Sequence, residues 1–285
     1  MTHCLRTAGA LAAAIVTGIS VGACHQNLGM PIAAPASTNP GWNLVWSDEF
    51  DGTSLDTSNW TYDIGNQGGW GNNELEYYRP DNAVVANGYL TITAKKESYG
   101  GSSYTSARIQ TSRKRSFTYG KFEMRAKLPS GQGIWPAFWL LGANSNAWGL
   151  YGGTTSWPGC GEIDAMEMVG GGAGDYTVHG TLHYLNSAGQ NPMPSYSDAL
   201  SSQLSDGFHV YAVVWTPQGI SFSVDGTTYG FKTMTSDMEE FSKPFFILLN
   251  LAVGGNWPGY PDATTSFPQQ FVVDYVRVYS LPASY

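Results

Sequence analysis

Between Trp42 and Tyr279 the chain runs as short apolar segments separated by turn residues, and none of them sustains an apolar repeat of 3.6 residues. A helical protein is excluded and a sheet is required. The clearest segment is Lys121 to Leu128, where Phe122, Met124, Ala126 and Leu128 alternate with Lys121, Glu123, Arg125 and Lys127. Successive side chains of a strand point to opposite faces, so this pattern predicts one core face and one wet face. Further strands are expected at Tyr89–Ala94, Ala107–Thr111, Ile134–Leu141, Glu162–Val169, Val178–Tyr184, Val210–Trp215, Ile220–Val224, Phe245–Val253 and Phe271–Tyr279. That many strands, joined by loops drawing on 35 glycines, predict an all-β fold, an antiparallel β-sandwich. A chain of 285 residues that is 42% hydrophobic can bury a substantial core, so residues 41–285 are expected to form one domain.

Residues 1–24 have the pattern of a signal peptide: Arg6 at the start, an uncharged run from Ala8 to Val21, and small residues at Gly22-Ala23. The run is too short to span a bilayer, which takes about 20 apolar residues. Val21-Gly22-Ala23-Cys24 is similar to a bacterial lipobox, in which Cys24 is lipidated and attaches the chain to a membrane; simple secretion is the alternative. Either way the protein is expected to be exported and monomeric. Cys4 leaves with the leader and a lipidated Cys24 leaves Cys160 unpaired, so the core rather than disulfides must hold the domain. Residues 25–40, rich in Pro, Ala and small polar residues, read as a linker.

Net charge is −8 and Lys plus Arg total only 14, which leaves no basic surface for a phosphate backbone and excludes nucleic acid as the expected partner. Aromatic residues make up 14%, with ten Trp and seventeen Tyr. Aromatic faces stack on the apolar faces of sugar rings, although sandwich cores also consume Trp and Tyr. The run Arg113-Lys114-Arg115 reads as a solvated turn.

Three carboxylates, Glu162, Asp164 and Glu167, fall within six residues of an apolar segment, in a chain that is only 13% charged. On a strand Glu162 and Asp164 share one face, and strict alternation sends Glu167 to the other. A bulge at Ala165-Met166, two residues opposing one on the neighbour, brings Glu167 back beside them. Two carboxyls about 5–5.5 Å apart are the machinery of a retaining glycosidase, one as nucleophile and the other as acid and then base. The alternative is an acidic edge strand facing solvent.

Glu162-Ile163-Asp164-Ala165-Met166-Glu167 resembles the signature of family 16 glycoside hydrolases in the form with one extra residue before the second Glu. Leu44 to Phe50, Trp70 to Tyr78, Gly131 to Leu141, Leu251 to Gly259 and Asp274 to Tyr279 resemble, in the expected order, the bacterial laminarinase branch of that family. The resemblance implies a β-jelly roll with a concave substrate cleft and retaining, endo-acting hydrolysis of β-1,3-glucosidic bonds in laminarin-type β-glucan. It implies Glu162 as nucleophile, Glu167 as acid/base and Asp164 between them, with no cofactor for catalysis. Family 16 hydrolysis of mixed-linkage β-1,3/1,4-glucan or agar is the alternative, and a non-catalytic glucan-binding module is a further one. The extra residue and Ala252 weigh against the mixed-linkage branch, and intact Glu162 and Glu167 weigh against a binding module.

The resemblance also points to substrate-binding positions. Trp135 and Trp139, four apart on one strand face, either line the cleft or belong to the core. Trp157, before Glu162, either walls the neighbouring subsite or anchors its loop. Asn73 and Arg108 fit hydroxyl-binding positions or are structural. His183 fits a hydrogen-bond donor near the leaving-group side, while His179, at metal-like spacing from it, has no further zinc ligands in view. Asn256-Trp257 lies in a Gly/Pro loop suited to capping the cleft. A structural calcium is expected on the convex side, held by Glu49, a carbonyl at Gly88 and Asp274, oxygen ligands of the kind calcium takes.

Overall fold

Two antiparallel sheets face each other across one apolar core. The computed structural model describes residues 41–283, so the leader, the linker and Cys24 lie outside the described residues. One sheet has seven strands in the order Ser195–Ala199, Thr177–His183, Glu162–Glu167, Ile134–Gly142, Phe245–Val253, Arg108–Gln110 and Thr61–Asp63. This is called the site sheet below. The opposing sheet runs Thr227–Thr233, Gly219–Val224, His209–Trp215, Gly120–Lys127, Gln269–Ser280, Tyr89–Ala94 and Ala83–Ala86, with Asn43–Asp48 paired to Gln269–Ser280. A small parallel pair, Glu76–Tyr78 with Tyr104–Ser106, lies outside both. The all-β jelly-roll sandwich expected from the periodicity and the motifs is the fold observed.

Phe122, Met124 and Ala126 enter the core from one sheet, and Phe138, Leu140, Ile163 and Met166 enter it from the other. Phe245–Val253 is buried along its entire length, which alternation alone does not explain. A second apolar layer covers its outer side, made of Ala137, Trp139, Leu141, Tyr151, Cys160, Phe246 and Leu248. This layer fills one part of the outer face of the site sheet and leaves the carboxylate strand beside it. Cys160 is free and buried within the layer.

One expectation needs correction. The supposedly wet face of Lys121–Leu128 is largely covered: Lys121 and Glu123 are each only 8% exposed. Lys121 Nζ donates to Glu123 at 2.8 Å and Tyr275 OH donates to the same carboxylate at 3.0 Å, while the Tyr279 ring lies under Lys121. The neighbouring strand thus supplies the hydroxyl donor and the ring face that permit burial of the pair. Arg113-Lys114-Arg115 is a turn, yet its cations all reach protein carbonyls: Arg113 Nε donates to Tyr151 O, Lys114 Nζ to Thr57 O and Trp60 O, and Arg115 to Lys114 O.

Candidate active site

The register of Glu162–Glu167 slips once, where the count of carboxylates required it. Asp164 pairs with Thr181 and Glu167 with His179, so Ala165 and Met166 together oppose the single residue Gly180. Against its other neighbour, Asp164 pairs with Trp139 and Met166 with Phe138, again leaving one residue over. Ile163, Ala165 and Met166 all enter the core, and Glu162, Asp164 and Glu167 therefore share the outer face. Gly180 is required there, because a Cβ at this position would sit 2.5 Å from the Phe222 ring that packs beneath it.

Each glutamate receives one indole donor. Trp157 Nε1 donates to Glu162 Oε2 at 3.2 Å and Trp135 Nε1 to Glu167 Oε1 at 3.0 Å. His183 Nε2 lies 3.3 Å from Asp164 Oδ2 and 3.7 Å from Glu162 Oε1. The Trp157 ring tilts over His183, and the half-exposed Trp257 stands edge-on to both Trp135 and His179. Asn73 donates to Asn256 at 2.8 Å, tying the turn before Glu74 to the loop that carries Trp257.

Burial pushes Glu162 up to about 8, with Asp164 adding to the rise, while His183, Arg108 and the Trp157 hydrogen bond pull the other way. Burial likewise raises Asp164. Glu167 is held well above the ordinary range by burial and then by the charges of Asp164 and Glu162, against the Trp135 hydrogen bond. Three adjacent buried carboxyls cannot all ionise at low cost, so the cluster retains protons at neutral pH and titrates as a unit. It can therefore supply a proton and a carboxylate at the same pH. Burial lowers His179, which favours its neutral ring beside Glu167.

Trp139 and Arg108 occupy a different layer from the half-exposed tryptophans. Trp139 faces outward, off the main core, but is only 8% exposed, and its Nε1 donates to Asn250 Oδ1 at 2.7 Å. Arg108 is 3% exposed: it meets Asp63 Oδ2 at 3.1 Å, donates to Tyr151 OH at 2.9 Å, and lies against the rings of Trp70, Trp139 and Trp148. Tyr151 in turn donates to Asp63 at 2.8 Å. Asn250 donates to Tyr78 OH, which donates to Glu74, so Trp139 is anchored to a buried polar chain. Sequence reasoning missed Asp63, Tyr151, Tyr78 and Asn250. A lone Asn inside the otherwise apolar Phe245–Val253 was the available signal.

The two expected calcium carboxylates have other partners. Glu49 receives a two-pronged pair of hydrogen bonds from Arg277 at 2.8 and 2.9 Å, and Asp274 receives Arg125 at 2.5 Å. Each carboxylate is neutralised by a guanidinium, so this donor set does not fit calcium as placed. Among the described residues, Glu162, Asp164 and His183 are the cluster whose ligand atoms lie within 4.8 Å of one another. They could hold a cation only if His183 turned a bare nitrogen to the carboxylates.

Residues 72–277 match the profile of glycosyl hydrolases family 16. The chain is 43% identical over 262 residues to a β-glucanase of Rhodothermus marinus, covering 84% of this chain and 86% of that protein. It is 38% identical over 271 residues to glucan endo-1,3-beta-glucosidase A1 of Niallia circulans, covering 84% of this chain and 38% of that longer protein. Among solved structures, the catalytic domain of an endo-1,3-beta-glucanase (laminarinase) from Thermotoga petrophila is 42% identical, with a TM-score of 0.74, covering 84% of this chain and 98% of that one.

Proposed function

The chain belongs to family 16 of the glycosyl hydrolases, and from that premise we propose that its three-carboxylate strand cleaves internal β-1,3-glucosidic bonds of laminarin-type β-glucan with retention of configuration. It is a glycoside hydrolase of the endo-β-1,3-glucanase kind. The observation that carries the chemistry is the bulge at Ala165-Met166, which puts Glu162, Asp164 and Glu167 on one face. In the proposed mechanism Glu162 attacks the anomeric carbon and forms a glycosyl ester, while Glu167 protonates the departing glycosidic oxygen. Glu167, now ionised, takes a proton from water; that water attacks the same carbon and releases Glu162. Asp164 tunes both through proton sharing and like charge.

Trp135, Trp157 and Trp257 are the proposed sugar platforms, because their rings border the carboxylates and keep exposed surface. Trp139 and Arg108 are instead assigned to the support beneath. Glu162→Gln and Glu167→Gln are each expected to lower laminarin hydrolysis by at least about a thousandfold while leaving laminari-oligosaccharide binding intact. An active Glu162→Gln enzyme would overturn the mechanism. Reducing-end release from laminarin, lichenan, agarose and carrageenan tests the substrate; inactivity on laminarin refutes it.

Export rests on the residue pattern alone: residues 1–24 as leader and Cys24 as lipid anchor, with Cys24→Ser expected to move the protein from the membrane fraction to the soluble one. A monomeric state is tested by light scattering. A calcium at Glu49, the Gly88 carbonyl and Asp274 requires both arginines to release their carboxylates; if it binds, chelation with EGTA should lower Tm, and an unchanged Tm would refute it.

A further inference from the structure

Asn191 lies in the hairpin that follows Thr177–His183, and two of its atoms decide what His183 presents to the carboxylates. Its Oδ1 accepts the backbone N–H of Tyr184 at 3.3 Å, and its Nδ2 lies 3.2 Å from His183 Nδ1. A backbone N–H can only donate, so the amide oxygen must face Tyr184 and the amide nitrogen must face the ring. An NH2 group can only donate too. His183 Nδ1 is therefore the acceptor, and the neutral ring carries its proton on Nε2, the nitrogen beside Asp164 and Glu162. Asp164 Oδ2, buried and otherwise without a hydrogen-bond partner, is the nearer of the two oxygens. The opposite tautomer would aim a lone pair at two carboxylates.

We propose that Asn191 is a positioning residue for catalysis: it locks His183 in the Nε2–H tautomer, so that the ring donates toward Asp164 and Glu162 and favours the ionised nucleophile. This rests on Glu162 being the nucleophile. The other charged or titratable groups acting on Glu162 are Asp164 beside it, Glu167 beyond the bulge, Arg108 from across the sheet and Cys160 from the preceding loop. Asn191 changes none of these, so its substitution isolates the histidine. The same tautomer sets the Glu162, Asp164 and His183 cluster against a cation, which needs the lone pair that the proton occupies.

Imidazole 15N NMR of the labelled enzyme at about pH 8, where an ordinary histidine ring is neutral, reads the tautomer without reference to activity. The expected spectrum has a protonated Nε2 and a bare Nδ1. Asn191→Asp keeps an acceptor for Tyr184 but can only accept from the ring, so it should put a proton on Nδ1. Asn191→Ala should lower kcat/KM on laminarin about tenfold, with Tm nearly unchanged. It should also shift the acid limb of the pH profile upward, because a carboxylate that loses a donor is protonated more readily. A wild-type ring protonated on Nδ1, an Asn191→Asp ring with Nδ1 still bare, or an unmoved acid limb in Asn191→Ala would each overturn the proposal. Wild-type enzyme without laminarinase activity but with the Nε2–H spectrum would instead refute the functional reading and leave the tautomer standing.

Discussion

Trp135 donates its indole N–H to Glu167 at 3.0 Å from a neighbouring strand of the site sheet, and this is the hydrogen bond that opposes the rise in the Glu167 carboxyl's proton affinity. Trp157 does the same for Glu162 from a loop. The two rings proposed as sugar platforms are thus also the donors that oppose each carboxyl's hold on its proton. On that proposal, substrate binding and proton delivery are coupled through the same two side chains.

Trp135→Phe keeps an aromatic face and removes only the donor. In its proposed role as acid Glu167 must be protonated to assist departure of the leaving group, so its proton affinity should set the alkaline limb of kcat/KM. Losing a hydrogen bond to the ionised form raises that affinity further, and the alkaline limb should move up by about half a pH unit or more. An unshifted limb, with only KM changed, would reduce Trp135 to a platform.

Asp164→Asn tests the burial of the cluster through stability. The Asp164 carboxyl is raised by burial to about 8, so between about pH 4 and pH 8 the folded protein holds a proton that the unfolded chain has released. The stabilisation by that proton is complete below the unfolded value and is lost as pH rises through the folded one. Asparagine is neutral throughout. Thermal unfolding should therefore show the variant about 3 °C or more above wild type at pH 8, with the gap closing towards pH 4. A gap independent of pH would mean that Asp164 ionises freely in the folded state.

The carboxylate strand was legible because a period of two and one surplus residue require a bulge, whatever surrounds it. Trp135 and Trp157 were legible as cleft candidates, yet their indole bonds to the glutamates were not, since strand spacing does not fix where a ring nitrogen points. Thr61–Asp63, Glu76–Tyr78 and Tyr104–Ser106 are three residues each and carry no readable period. Lys121 and Glu123 read as wet because such residues are seldom buried, and the Tyr275 hydroxyl that admits Glu123 comes from 152 positions away. Arg108 was seen as polar within a strand and linked by resemblance to sugar hydroxyls. Its actual partners, Asp63 and Tyr151, stand 45 and 43 positions away, and no local pattern encodes them.

Asp63→Asn measures what that hidden group contributes. Arg108 and Asp63 are almost entirely buried, so removing the carboxylate charge leaves a guanidinium in the interior with Tyr151 and three indole faces as its remaining partners. Breaking one side of a buried pair typically costs about 3–5 kcal/mol, and denaturant unfolding should show a loss of that order. Because Trp139 rests against the same guanidinium, the damage should also reach the face beside Asp164, lowering kcat/KM without moving either limb of the pH profile. A loss below about 1 kcal/mol would mean that water reaches the pair and that Arg108 is available to substrate after all.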